Sequence, residues 1–79
     1  MRTTKLSLAA ALVSLGAGVD HIDRSDPRHM EFHLAFSSPI MEEKKWFDQN
    51  VRAWERRELL VNAQDFVDAL QTLKSEVHR

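Results

Sequence analysis

The chain has 79 residues, which is enough for one small domain, and it contains no cysteine. Neither a disulfide nor a thiolate zinc site can therefore reinforce the fold, which must depend on apolar side chains, 43% of the total. Eleven Lys and Arg against twelve Asp and Glu give a formal charge of −1, which argues against strong, sequence-independent binding of nucleic acid. We predict a single domain over residues 1–79.

The first predicted element is a helix that begins at Thr3 or Thr4 and ends at Gly16. A threonine side chain can accept an unpaired backbone N–H at the start of a helix, and glycine readily adopts the left-handed conformation that ends one. Leucine and alanine dominate between them, so apolar side chains cover nearly the whole helix surface. Such a helix must be covered on more than one side, by the rest of the domain or by a second copy of the protein.

The same N-terminal stretch has the basic, apolar and small-residue order of a secretory signal peptide. Its removal would leave roughly 60 residues, which is near the lower limit for a stable core. The apolar run is also shorter than the ~20 residues that a membrane-spanning helix needs. We therefore expect the stretch to belong to the fold, and we predict no membrane partner and a cytoplasmic location.

A β-hairpin is predicted next, from residues 19–24 and 29–36, with a turn that contains Pro27 between them. Side chains of the second strand alternate between the two faces of the hairpin, as expected for a strand with one face on the core. The residues predicted to face the core are Met30, Phe32, Leu34 and Phe36.

A second helix is predicted to begin at Ser38 and Pro39 and to end near Glu55 or Arg57, because serine caps helices and proline suits their first position. Its apolar stripe comprises Ile40, Phe47, Val51 and Trp54.

Residues 59–61 are predicted to be an extended link or a third, edge strand. Asn62 is predicted to cap the last helix, which carries the clearest apolar pattern in the chain. The members of that pattern are Ala63, Phe66, Val67, Leu70, Leu73 and Val77. The predicted fold class is thus α+β, in the order α-β-β-α-(β)-α, with an antiparallel hairpin packed against helices.

Several short motifs occur together along the chain. They comprise Leu8-Ala9-Ala10 in a helix ending at Gly16, Ile22-Asp23 before the turn, the segment from Leu59 to Ala63, Phe66, Ala69-Leu70 and Leu73-Lys74. In these residues the chain resembles a family of small, uncharacterised bacterial and phage domains of unknown function. The resemblance implies a phage or mobile-element context, and it brings no activity or active-site residues.

Three polar residues, His29, Glu31 and His33, alternate along the second strand and are predicted to project from one face. With His21 or Asp23 from the neighbouring strand they could supply imidazole and carboxylate ligands for zinc or another divalent ion. The outer face of a strand is also where solvated polar residues belong, and we favour that interpretation. We therefore predict no metal and no cofactor.

No pattern in the chain predicts catalysis. The sequence offers no arrangement of nucleophile, base and orienting group, and no glycine-rich phosphate loop. A chain with only two glycines is also poorly suited to forming a deep pocket. We predict that the protein is not an enzyme and has no catalytic residue.

Trp46 lies about 110° from the apolar stripe of the second helix, beside Asn50, Ala53 and Arg57. An exposed tryptophan next to a small residue and an arginine has the composition of a binding anchor. Packing of the first helix or the C-terminal tail over Trp46 is the alternative. We predict that these residues form a partner-binding site. The protein would then be a non-enzymatic protein-interaction module, a homodimer that binds a host or mobile-element protein. In a phage setting it could inhibit a host complex.

The alternative function is a small nucleic-acid-binding accessory protein. It would use the basic residues of the second helix, Lys45, Arg52, Arg56 and Arg57. Acidic residues are interleaved with them at spacings that suit ordinary ion pairs on a helix surface, so we favour a solvated face. If each of these arginines has a carboxylate neighbour in the folded protein, the protein-interaction module is favoured over nucleic-acid binding.

Overall fold

The fold is a three-stranded antiparallel sheet with helices packed against the face that carries Phe32 and Leu34. A computed structural model describes residues 1–77. The elements are β1 (Arg2–Thr3), α1 (Leu6–Ser14), β2 (Gly18–Asp23), β3 (Glu31–Ala35), α2 (Glu43–Glu55) and α3 (Ala63–Val77). The predicted α+β class is confirmed, and so is the hairpin. Of the residues predicted to face the core, Phe32 and Leu34 are buried and Phe36 packs against them, whereas Met30 precedes β3 and is not part of the core cluster.

Residues 59–61 form the extended link and not the edge strand, the two alternatives that the sequence left open. The third strand of the sheet is instead β1, which gives the order β1-β3-β2. The backbone N–H of Leu34 donates to the Met1 carbonyl (2.8 Å), and the Met1 amino group donates to the Leu34 carbonyl (3.2 Å). Both edges of β3 are therefore occupied, one by β2 and the other by the N-terminal stretch.

The apolar helix α1 lies in the middle of the domain. Leu8, Ala9, Ala10, Ala11 and Leu12 are buried, and α3 is the main element that packs against the helix. The sequence allowed α1 to be covered either by the rest of the domain or by a second copy of the protein. In the structure the rest of the domain covers it. Small alanine side chains let a neighbouring element approach closely, which suits a helix enclosed on several sides.

The predicted end of α1 is confirmed, whereas its predicted cap is wrong. Gly16 has a φ of +121°, a conformation that L side chains rarely adopt. At the other end the capping position is Lys5, which makes no side-chain capping bond. The Thr3 hydroxyl instead accepts the backbone N–H of Lys5 (3.1 Å), so it stabilises the turn from β1 into the helix.

Helix α2 begins at Glu43, later than the Ser38-Pro39 start predicted. The Ser38 hydroxyl accepts the backbone N–H of Ile40 (3.1 Å) in a local turn, which competes with helix formation. Ile40 is therefore outside the helix and 94% exposed, so its place in the apolar stripe was wrong. The other members of that stripe, Phe47, Val51 and Trp54, pack on the core as predicted.

Helix α3 begins as the sequence predicted. The backbone N–H of Asp65 donates to the Asn62 side-chain oxygen (3.0 Å), which confirms the cap. Leu73 is almost fully buried on its inner face, but Val67 is 46% exposed at the margin of the packed face. Ala63, at the first turn, is also exposed, so the packed face is narrower than the apolar pattern indicated.

Candidate functional site

Trp46, the predicted anchor, lies half-buried against the core. Its ring centroid is 3.9 Å from that of Phe36 and 5.0 Å from that of Phe47, which it meets edge-on. Aromatic contacts of this kind stabilise a fold by about 0.5–1.5 kcal/mol beyond the buried area. The aromatic contacts of Trp46 thus come from Phe36, the residue that follows β3, and from Phe47 on its own helix, rather than from the first helix or the C-terminal tail that the sequence suggested as alternatives.

The other residues of the predicted anchor site are also largely engaged within the domain. The Asn50 amide nitrogen donates to the Trp46 carbonyl (2.8 Å), and Ala53 is half-buried. Arg57 is exposed, and its φ of 60° reverses the chain after α2. Partner binding by these residues stays a prediction, since their described contacts are internal ones.

The basic residues of α2 divide into two groups. Lys45 and Arg52 are exposed and lie on the side of α2 opposite Phe47. The exposed Arg56, directly after the last helical residue, continues that side, and Arg57 follows it where the backbone turns to positive φ. Within residues 1–77 the ion pairs are His21 with Asp20 and His33 with Glu31, so no basic residue of α2 has a carboxylate oxygen within 4.0 Å. We call Lys45, Arg52 and Arg56 the basic stripe.

Acidic residues nevertheless border the basic stripe. A shallow depression on this side of α2 is lined by Asp48 and Glu58 together with the cations of the stripe. The carboxylates reduce the local positive potential without pairing with any one cation. The ion pairs expected from the helical spacing are thus not formed, although the charges are interleaved.

A groove lies between the hairpin turn, the start of α1 and the end of α3, with a volume of about 630 Å³. We call it the turn groove. Its apolar lining comprises Leu6, Met30, Phe32 and Val77. Its basic lining comprises the exposed residues Arg28, His29 and Lys74. Sequence reasoning missed this site because its residues come from separate segments of the chain.

Hydrogen bonds hold the turn that forms one wall of the groove. The Asp26 carboxylate accepts the backbone N–H of Arg28 (2.9 Å), and the Asp26 carbonyl accepts that of His29 (3.0 Å). These bonds fix the backbone at the two basic residues of the turn, so their side chains start from defined positions. These bonds define the backbone conformation of this wall of the groove.

The outer face of the hairpin holds the only set of three metal-ligating side chains found within residues 1–77. It comprises Asp23, Glu31 and His33, whose ligand atoms lie within 4.8 Å of one another. His29 is not part of it, because β3 begins at Glu31 and His29 lies in the turn groove instead. The alternation along β3 and the contribution of Asp23 were correctly anticipated, but the role of His29 was not.

Asp23 has further partners in the hairpin turn. The backbone N–H of Ser25 (2.9 Å) and its hydroxyl both donate to one Asp23 carboxylate oxygen. These hydrogen bonds, with a smaller contribution from His33 and His21, hold the pKa of the Asp23 carboxyl below its usual range.

No family model, curated protein or solved structure matches this chain. The resemblance to small bacterial and phage domains therefore stays a prediction. Within residues 1–77 no helix has both the length and the apolar character needed to cross a membrane.

Proposed function

We propose that this protein is a small, non-enzymatic binding module whose turn groove takes an acidic, apolar segment of a partner protein. The observation that carries the proposal is the chemical character of the groove. Apolar side chains lie beside Arg28, His29 and Lys74, and no carboxylate is among the lining residues described within 1–77. A segment that places a large apolar side chain next to Asp or Glu would satisfy both parts of the lining.

The start of α1 adds to the preference for a negative charge. Thr4 and Leu6, which flank the first turn of the helix, both line the groove. The first turn of α1 contains no acidic residue, and Lys5 at its cap makes no side-chain capping bond. Among residues 1–77, no carboxylate lines the groove beside the positive end of this helix dipole.

The energetics favour a modest, salt-dependent affinity. Burying one large apolar side chain contributes about 1.5–3 kcal/mol, and each exposed ion pair at the rim adds roughly 0.2–1 kcal/mol. The rim charges act mainly on the association rate and on the choice of partner. We therefore expect a transient complex, which suits a cytoplasmic module that binds a host or mobile-element protein.

The site proposed here differs from the one inferred from sequence. Burial of α1 inside the domain removes the reason for expecting a homodimer through that helix. The basic and apolar lining of the turn groove suits an acidic, apolar segment of another chain, and self-association through other surfaces stays a prediction.

We expect a charge reversal in the groove to weaken partner binding at least tenfold, because it replaces attraction by repulsion. The measurement starts from a displayed library of random peptides selected on the wild-type protein. Selected peptides should combine acidic residues with large apolar ones. Their affinity is then measured by fluorescence polarisation for the wild type and for the double variant Arg28→Glu, Lys74→Glu.

The matched control is the double variant Arg52→Glu, Arg56→Glu, which changes the net charge equally on α2. It should retain affinity within about twofold at moderate salt, where charges beyond about 10 Å are screened. An equal loss of peptide affinity in both double variants would mean that binding depends only on net charge, which would contradict the proposal. Selected peptides without acidic residues would also contradict the proposal.

A second candidate function, binding of single-stranded nucleic acid, is favoured by the unpaired cations of the basic stripe. Arg52 follows Lys45 by two helical turns and Arg56 follows Arg52 by one, so the stripe could track several phosphates. The half-buried Trp46 has its ring against Phe36, which leaves less of it for stacking on a base.

We expect a triple variant, Lys45→Ala with Arg52→Ala and Arg56→Ala, to lower any affinity for a labelled oligonucleotide at least tenfold. Loss of about three phosphate contacts should also reduce the salt slope by about 2. The double variant Arg28→Ala, Lys74→Ala serves as the control. Absence of binding by the wild type at low salt would exclude this second function.

A further inference from the structure

The outer face of the β2–β3 hairpin carries one imidazole and two carboxylates whose ligand atoms converge. We propose that Asp23, Glu31 and His33 form a binding site for a divalent transition-metal ion, with zinc as the cation that fits them best. The site lies apart from the turn groove, since none of its residues lines that groove. It is therefore independent of the proposed partner binding.

The register of the hairpin places these ligands together. Asp23 pairs directly with Glu31 across the strands, and His33 follows Glu31 by two residues on β3. Side chains two apart on a strand project from the same face, and directly paired residues have Cβ atoms about 4.5–5.5 Å apart. The ligands are thus held by paired strands rather than by a loop, which gives them defined positions.

The distances are close to those of a coordination sphere. His33 Nε2 lies 3.0 Å from Glu31 Oε1, and the Asp23 oxygen lies within 4.8 Å of both. Ligand atoms about 2.0–2.2 Å from a tetrahedral zinc ion are about 3.4 Å from one another. A small rotation of the Asp23 side chain would therefore complete the set.

His33 and Glu31 already approach each other closely. The His33 Nε2 atom is shielded from water and lies 3.0 Å from Glu31 Oε1 without forming a hydrogen bond, although the His33 side chain as a whole is 21% exposed. A cation placed between the Nε2 and Oε1 atoms could coordinate both of them.

Neighbouring groups orient the ligands as the surroundings of a metal site do. Ser25 donates two hydrogen bonds to one Asp23 oxygen, which leaves the other oxygen for a cation. The His21 ring stacks on His33 with 4.0 Å between centroids and 21° between planes. This stacking restricts rotation of the His33 ring.

The chemistry of the donors selects the class of ion. One imidazole with two carboxylates suits zinc and similar transition metals, whereas magnesium and calcium prefer oxygen donors alone. The Glu31 side chain is 33% exposed, so water can reach the carboxylate side of the site although His33 Nε2 is shielded. Water can then complete the tetrahedral coordination as a fourth ligand.

The test is calorimetric titration of the metal-free protein with zinc chloride and, separately, with magnesium chloride. We expect one zinc ion per chain, bound at least tenfold more tightly than magnesium. His33→Ala should weaken zinc binding at least tenfold, and so should Glu31→Gln, which keeps the size of the side chain. The control is His29→Ala, which removes a histidine of the same hairpin that lies outside the cluster and should leave the affinity within twofold.

Circular dichroism of each metal-free variant establishes that it is folded. If His33→Ala fails to fold, the zinc affinities of Glu31→Gln and Asp23→Asn test the proposal instead, because these substitutions remove a charge with little change in shape. The proposal is overturned if the wild type binds no zinc at millimolar concentration, as expected if a protonated His33 and Glu31 satisfy each other. It is also overturned if magnesium binds as tightly as zinc, or if His29→Ala weakens zinc binding as much as the folded variants of Asp23, Glu31 and His33 do.

Discussion

Replacement of Leu12 by alanine is expected to lower the free energy of unfolding by about 3 kcal/mol. Leu12 is 0% exposed and lies on α1, the helix at the centre of the core. Its removal deletes buried methyl groups and leaves a cavity that the surrounding elements cannot fill completely. A domain of this size has a total stability of only about 5 kcal/mol, so a large part of its stability would be lost.

Urea titration followed by circular dichroism measures this change directly. The matched control is Leu60→Ala, which removes the same atoms from a side chain that is 88% exposed. That variant should stay within about 0.5 kcal/mol of the wild type. Equal stability of the two variants would contradict the central position of α1.

The elements that the sequence predicted best are those with a local pattern. The alternation of Phe32 and Leu34 along β3 and the spacing of Phe66, Leu70 and Leu73 along α3 each repeat within one element. Such periodicity is a direct consequence of strand and helix geometry, so it can be recognised without knowledge of the rest of the fold. The cap at Asn62 was equally local.

The errors concern features that depend on distant parts of the chain. Strand β1 has only two residues, too few for an alternating pattern, and it exists because β3 offers an edge to pair with. The start of α2 was misplaced because the Ser38-Pro39 signal suits a turn as well as a helix start. Only the contact of Ser38 with Ile40 distinguishes the two.

The candidate sites likewise combine features that a local pattern predicts with features that depend on distant parts of the chain. Glu31 and His33 were predicted to share a face from their spacing, and Asp23 was one of two partners considered for them. Choosing between Asp23 and His21 required the register of the hairpin, which a bulge between Val19 and His21 alters. The turn groove combines residues of three separate segments, so no local pattern could have predicted it.

Replacement of Ala10 by aspartate is expected to cost several kcal/mol and to leave most of the protein unfolded at neutral pH. Ala10 is 0% exposed, and no polar or charged side chain is buried among the described residues. A carboxylate at this position would therefore lose its hydration without gaining a cation or a hydrogen-bond donor. The loss is measured as the helical circular dichroism signal that remains in the absence of denaturant.

The control for this substitution is Ala63→Asp, which adds the same carboxylate at an exposed position in the first turn of α3. There the charge meets the positive end of the helix dipole, so the variant should be as stable as the wild type or slightly more stable. The Ala10 variant also separates the two ways of covering α1. If a second copy of the protein covered the helix, Ala10→Asp would yield folded monomers, detected by light scattering. If the chain's own α3 and sheet cover it, the variant instead loses its helical signal, and any partner must bind elsewhere, as it would in the turn groove.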